Sequence, residues 1–195
     1  MIKQDIKRLL DESQALHQAL REDDAIISAI QKLVTMIIVC LKNGGKVILF
    51  GNGGSASDSQ HIAAEFVGRF KYNRKAFAAL ALTGDTCNLT CIGNDFGFEH
   101  IFSRQIEALA CAKDIAIGIS TSATSPNVIA GITQAKRMGL RTAVLAGAKK
   151  TALTRLADVT VSVPSTVTAR IQEAHITIGH ITCELVEKAI GSDKR

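Results

Sequence analysis

The chain has 195 residues, 47% of them hydrophobic and 21% charged, which suits one domain with an ordinary buried core and no covalent staples. Twenty-three Lys and Arg against 18 Asp and Glu give a formal charge of +5, but the basic residues are scattered, the densest group being Arg69, Lys71, Arg74 and Lys75; with one Tyr and no Trp for stacking, nucleic acid is not the expected ligand. Unbroken apolar runs reach only six or seven residues (36–41 and 76–82), so no bilayer span is expected, and a start charged every few residues, without the apolar stretch of a signal peptide, points to the cytoplasm.

In chain order, residues 3–20 have helical character with a mixed surface. Ile26, Ile27, Ile30, Leu33, Val34, Ile37, Ile38 and Leu41 then recur at spacings of three and four, the stripe of a helix that starts at Asp24 and is stopped by Asn43, Gly44 and Gly45. This helical pair, 1–45, must cover a sheet or pack on another subunit.

Next comes KVILFGNGGSASDSQHIAAEFVGR, Lys46 to Arg69. The apolar run 47–50, the glycines and the following hydroxyl and acidic residues read as strand, tight turn, helix. Gly51, Gly53 and Gly54 permit positive φ and close backbone approach, and Ser55 and Ser57 stand beside the open amides of a helix start, a ready anion site. His61 and Glu65, four apart, share a face of that helix. The spacing Gly51, Gly53, Ala56 also fits a dinucleotide turn, whereas a P-loop is excluded because no Lys follows the glycines.

Residues 77–82 make a second strand; 86–92 are ambiguous, and Gly93, Asn94 and Asp95 read as a polar turn. Residues 99–109 look helical, and 114–119 form a third strand ending in Ser120, Thr121, Ser122, Thr124 and Ser125. Pro126 then opens a helix to about Met138, closed by Gly139. Strands at 142–145 and 159–163 precede a final helix, 168–190, apolar nearly all round, which is a sign of subunit packing. It contains Gln172, His175 and His180; Gln172 and His180 lie about 80° apart around the helix and can meet one ligand. The five cysteines (40, 87, 91, 111, 183) are odd in number, lack a CxxC and read as reduced core residues, with Cys87 and Cys91 as the one pair open to question.

Strands alternating with helices at this spacing predict one α/β domain over 1–195: a doubly wound, five-stranded parallel sheet of flavodoxin-like type, 46–195 with its long last helix, preceded by the helical pair. The two hydroxyl-rich loops, 51–59 and 120–125, fall at the carboxyl ends of adjacent strands, where such sheets bind ligands.

GNGGSASDSQHIAAEF, IGNDFGFE, ISTSATSPN and ARIQEAHITIGH, in that order over nearly the whole chain, resemble the phosphoheptose isomerases of the sugar-isomerase (SIS) domain family. The resemblance implies a catalytic base at Glu65 and a partner acid/base at His180. It implies one zinc per subunit on His61, Glu65, Gln172 and His180, and no nucleotide cofactor. Substrate contacts are implied at Asn52, Gly53, Gly54, Ser55, Glu65, Asn94, Asp95, Ser120, Thr121, Ser122, Ser125 and Gln172, for a phosphorylated seven-carbon sugar bound by a homotetramer. The implied reaction is aldose–ketose isomerisation of sedoheptulose 7-phosphate through an enediol, feeding lipopolysaccharide synthesis. Three departures stand out. Ala123 replaces the usual glycine of the serine loop, a strain of about 1–2 kcal/mol if positive φ is needed there; Val167 stands where many relatives are acidic, and Lys149 and Lys150 where a glycine pair is frequent. The competing reading is a non-catalytic SIS-domain regulator that binds a replication-initiator protein. Such relatives lose the Glu and the last-helix His, and both are present here. A dinucleotide-binding protein using Asp85 would leave the serine loop and His180 unused.

Overall fold

The computed structural model describes residues 1–191. Two helices, α1 (Ile2–Glu22) and α2 (Asp24–Lys42), precede β1 (Val47–Gly51) and α3 (Gly54–Val67). Then follow β2 (Ala79–Ala81), α4 (Thr86–Phe96), a 3₁₀ turn (Phe98–His100), α5 (Ser103–Leu109), β3 (Ile115–Ser120), α6 (Pro126–Arg137), β4 (Arg141–Ala146), α7 (Ala152–Leu156), β5 (Val159–Ser162) and α8 (Thr168–Ile190). All strand pairings are parallel, in the order β2-β1-β3-β4-β5. The order reverses between β1 and β3, so the crevice beyond their carboxyl ends is where this topology places a ligand.

Alternation along β1 shows why both faces are covered. Val47 and Leu49 face a core shared with α1, α2, α3 and α8, whereas Ile48 and Phe50 face a second core shared with α4, α5, α6 and α7. Helix α2 is capped by the Asp23 carboxylate, which accepts from Ala25 N (2.8 Å) and Ile26 N (3.1 Å). Its stripe of Ile26, Ile30, Leu33, Val34, Ile37 and Cys40 is buried. The helical pair thus covers the sheet. Helix α2 also corrects the membrane expectation: an 18-residue window of this 19-residue helix has a mean hydropathy of 1.9, which by length and composition alone suffices to cross a bilayer, and a broken run of apolar residues does not exclude that. In this fold its apolar face is spent on the core.

Three further expectations need correction. Gly93, Asn94 and Asp95 are not a turn but the last turns of α4, a helix nucleated by Asp85, whose carboxylate caps Asn88 N at 3.0 Å. The ambiguous stretch is therefore helical. The expected helix 99–109 is divided into a 3₁₀ turn and α5, and the five-residue α7, opened by a Thr151/Thr154 capping box, had no periodic signal long enough to read. Of the cysteines, only Cys40 and Cys183 are buried; Cys87, Cys91 and Cys111 are exposed, and all five are free.

The serine loop carries the strain its sequence suggested. Ala123 is the one non-glycine residue with positive φ among the described residues, at 53°, and it is buried. Replacing it with Gly relieves about 1–2 kcal/mol of strain. The same change forfeits about 0.8 kcal/mol for a buried methyl and about 0.5–1 kcal/mol of backbone freedom. Ala123→Gly should therefore shift the denaturant midpoint very little, while Ala123→Val, β-branched in a region such residues avoid, should lower it clearly.

Candidate active site

The turn after β1 is built by close approach. Gly53 has φ 56°, and a Cβ on Gly51 would meet Ile119 O at 2.6 Å. Gly54 opens α3 directly beneath α8: a Cβ there would lie 2.3 Å from Gln172 Nε2, so glycine is what admits the Gln172 amide to the turn. Beyond β3, Ser120 Oγ and Ser125 Oγ are 3.1 Å apart, and Ser122 Oγ accepts from Thr124 Oγ1 at 2.9 Å. Ser125 spends its hydroxyl on Ser120, so it does not cap α6, and Gly53 has no side chain with which to cap α3. Neither helix start at these adjacent strand ends is closed by a side chain; α6 keeps the Asn127 and Val128 amides for an anion, whereas at α3 Ser55 N and Ala56 N already donate to Asn52 O and Gly53 O, both at 3.0 Å.

A reciprocal amide pair joins the two loops. Asn52 Nδ2 donates to Asn127 Oδ1 and Asn127 Nδ2 to Asn52 Oδ1, both at 2.8 Å, with Asn127 buried. Sequence reasoning found Asn52 but missed Asn127, whose only signal was its place just after Pro126 at a helix start.

About two helical turns along α3 from Gly54, roughly 10 Å by helix rise, lies the second cluster. His61 Nε2 is 3.2 Å from Glu65 Oε1 and 3.4 Å from His180 Nε2, and the ligand atoms of all three lie within 4.8 Å of one another. Close packing of α3 on α8 makes this possible, because a Cβ on Gly179 would meet Ile62 Cδ1 at 2.6 Å. A tetrahedral zinc with bonds of about 2.0–2.1 Å separates its donors by about 3.3 Å, so the two short separations have the right size and the donor types are those zinc takes. The residues fit the metal. Gln172, expected as a fourth ligand, has its amide over Gly54 at the other end of the α3–α8 contact.

The last helix offered two histidines, and burial separates them. His175 is fully buried, with Nε2 3.3 Å from Ala146 O, and burial pushes its imidazole down to about 4, against a small opposing effect of that hydrogen bond. It stays neutral and structural, while His180 reaches the cluster. Asn94 and Asp95 are exposed on α4, where Asn94 Nδ2 donates to Asp95 Oδ1 at 2.8 Å; among the described residues neither side chain hydrogen-bonds to either loop.

Asp58, on the same face of α3 between Gly54 and His61, escaped sequence reasoning. Its Oδ2 is buried without a partner, and burial pushes its carboxyl up to about 6, against the opposing pull of His61. Because the folded pKa exceeds the unfolded value, this group favours the folded state fully below about pH 4, and that contribution is lost as pH rises through about 6. Asp58→Asn should remove this loss and gain about 1 kcal/mol at neutral pH, after discounting for solvent screening of a half-buried group. Denaturant midpoints at acidic and neutral pH check it.

The sequence pattern of the SIS domain matches residues 9–147. The chain belongs to the SIS-domain family. Within that family it is 55% identical to the phosphoheptose isomerase of Paramagnetospirillum magneticum over 163 residues, 84% of this chain and 85% of the relative. It is 45% identical to that of Sulfurimonas denitrificans over 192 residues, 98% of each chain. A solved phosphoheptose isomerase from Neisseria gonorrhoeae superposes with a TM-score of 0.91 at 37% identity, covering 96% of this chain and 100% of that one. This SIS domain is accordingly an enzyme, an isomerase of phosphorylated sugars.

Proposed function

We propose that the chain converts D-sedoheptulose 7-phosphate to D-glycero-D-manno-heptose 7-phosphate, the first step toward the activated heptose of lipopolysaccharide. The observation that carries this reading is the convergence of His61, Glu65 and His180 beyond two uncapped helix N-termini. The phosphate is held by the amides and hydroxyls of the 120–125 loop, with Asn52, Gly53, Gly54, Ser55 and Gln172 along the sugar and Asn94 and Asp95 completing the contacts.

The reaction moves one hydrogen between C1 and C2 and relocates the carbonyl. Glu65 takes the proton from the carbon beside the carbonyl, leaving an enediol, and returns it to the neighbouring carbon. His180 carries the matching proton between the two oxygens, and its 3.4 Å approach to His61 keeps it on the Glu65 side of α8. A zinc held by His61, Glu65 and His180 would supply Lewis-acid polarisation of the carbonyl oxygen, while Gln172, whose amide lies over Gly54, serves the sugar in this reading rather than the metal. A homotetramer in the cytoplasm belongs to the same reading. It is supported by Ile181 and Leu185, four apart and still half-exposed on α8, and by Ile2, Ile6, Leu9 and Leu10, exposed on α1.

The test is to incubate the purified protein with sedoheptulose 7-phosphate and follow aldose formation with zinc added or chelated. Conversion is expected. A folded protein that binds the sugar phosphate without converting it would overturn the substrate assignment and favour the regulator.

A further inference from the structure

Between α3 and β2 the chain runs through an irregular segment, 68–76, whose place is set by one carboxylate. Glu187, buried in α8, accepts from three successive amides, Phe70 N (3.0 Å), Lys71 N (2.6 Å) and Tyr72 N (3.1 Å), and from Arg74 Nε (2.8 Å). The amides form an anion-holding nest, here filled by the protein's own side chain. Arg74 is equally buried and turns its remaining nitrogens onto the end of α3: Nη2 donates to Glu65 O (2.8 Å) and Nη1 to Phe66 O (2.9 Å). One ion pair therefore ties together the last turn of α3, where Glu65 sits, the segment, and α8 seven residues beyond His180.

What the segment delivers is Phe70. Its ring lies with its centroid 5.5 Å from that of His180, tilted by 34°, while His180 meets the His61 ring nearly edge-on at 5.0 Å. Among the described residues the polar partner of the His180 ring is His61 Nε2. A single hydrogen bond leaves the ring free to swing about it, so the plane of the imidazole is set by packing.

We infer that segment 68–76 is a strap, fastened by Arg74 and Glu187, which holds Phe70 against His180 and so orients the imidazole that works with Glu65. Phe70, Arg74 and Glu187 are positioning residues; none needs to touch the substrate. The kinetic consequence rests on the isomerase reading, whereas the structural consequence does not. If the ion pair only closed the α3–β2 connection, removing Phe70, which leaves the pair intact, would not disturb His180.

The test compares Phe70→Ala, Phe70→Tyr and Glu187→Gln in the full chain. It reads kcat and KM with sedoheptulose 7-phosphate and, separately, the ring signals of labelled histidine by NMR. The chain has five histidines, and His180→Gln assigns the signal wanted. Phe70→Ala should lower kcat by about tenfold or more with KM nearly unchanged, because a misaligned proton carrier weakens the transition state rather than substrate binding. It should also shift or broaden the His180 signal. Phe70→Tyr, which keeps the ring, should restore both, and Glu187→Gln should behave as Phe70→Ala does. If Glu187→Gln fails to fold, Phe70→Ala decides. Wild-type kcat or an unmoved His180 signal in Phe70→Ala overturns the strap. If the wild type turns over no sugar phosphate, the functional reading fails instead, and the His180 signal still decides the strap.

Discussion

Glu65→Gln should lower kcat for aldose formation by about 10³-fold, within the range attributed to a positioned general base, while leaving thermal unfolding unchanged. Gln preserves the size of the side chain and a carbonyl oxygen 3.2 Å from His61 Nε2, so the packing of α3 on α8 survives. What it lacks is basicity toward a carbon-bound proton. Binding of the sugar phosphate should persist, because Glu65 lies about three helical turns along α3 from the glycine turn. His180→Gln should also lose turnover with binding retained. Turnover that survives Glu65→Gln would remove Glu65 as the base, and isothermal titration of both variants with the sugar phosphate separates lost chemistry from lost binding.

Glu187→Ala should destabilise the fold by about 3–5 kcal/mol, since it strands a buried guanidinium and three amides at once. For a chain of this size that corresponds to a fall in Tm of roughly 10 °C, measurable by calorimetry. Burial would push the Glu187 carboxyl up, but the amides of Lys71, Phe70 and Tyr72 and the Arg74 guanidinium outweigh it and hold it below the usual carboxylate range. A lowered folded pKa means that this contribution is present above the unfolded pKa and is lost as pH falls through the folded one. The gap between wild type and Glu187→Ala should therefore be widest at neutral pH and shrink in acid. A constant gap would mean that the carboxylate's charge contributes nothing.

Much of this architecture was legible before any coordinates. The α2 stripe, the 47–50 run and Pro126 announce their own elements, because periodicity and backbone restriction act within a few residues. The strained position at Ala123 was legible too, from one missing glycine. Local pattern failed where an element was too short for a period, as at α7, and it drew the edge strand β2, which pairs with β1 alone, as 77–82 where three residues are paired. It failed again where polar residues that often make turns, Asn94 and Asp95, continue a helix that Asp85 had already capped.

The sequence by itself determined the order of elements, the glycine turn, the hydroxyl loop and the i, i+4 pairing of His61 with Glu65, all consequences of covalent neighbours. Tertiary structure alone decided that His180 rather than His175 meets that pair, that Gln172 sits over Gly54, that Asn52 exchanges bonds with Asn127, and that Glu187 fastens the segment carrying Phe70. Each of these joins residues 75 or more positions apart, or turns on which face of a nearly all-apolar helix is buried. No periodicity records that, because burial and the hydrogen-bond needs of buried groups are settled only when distant surfaces pack.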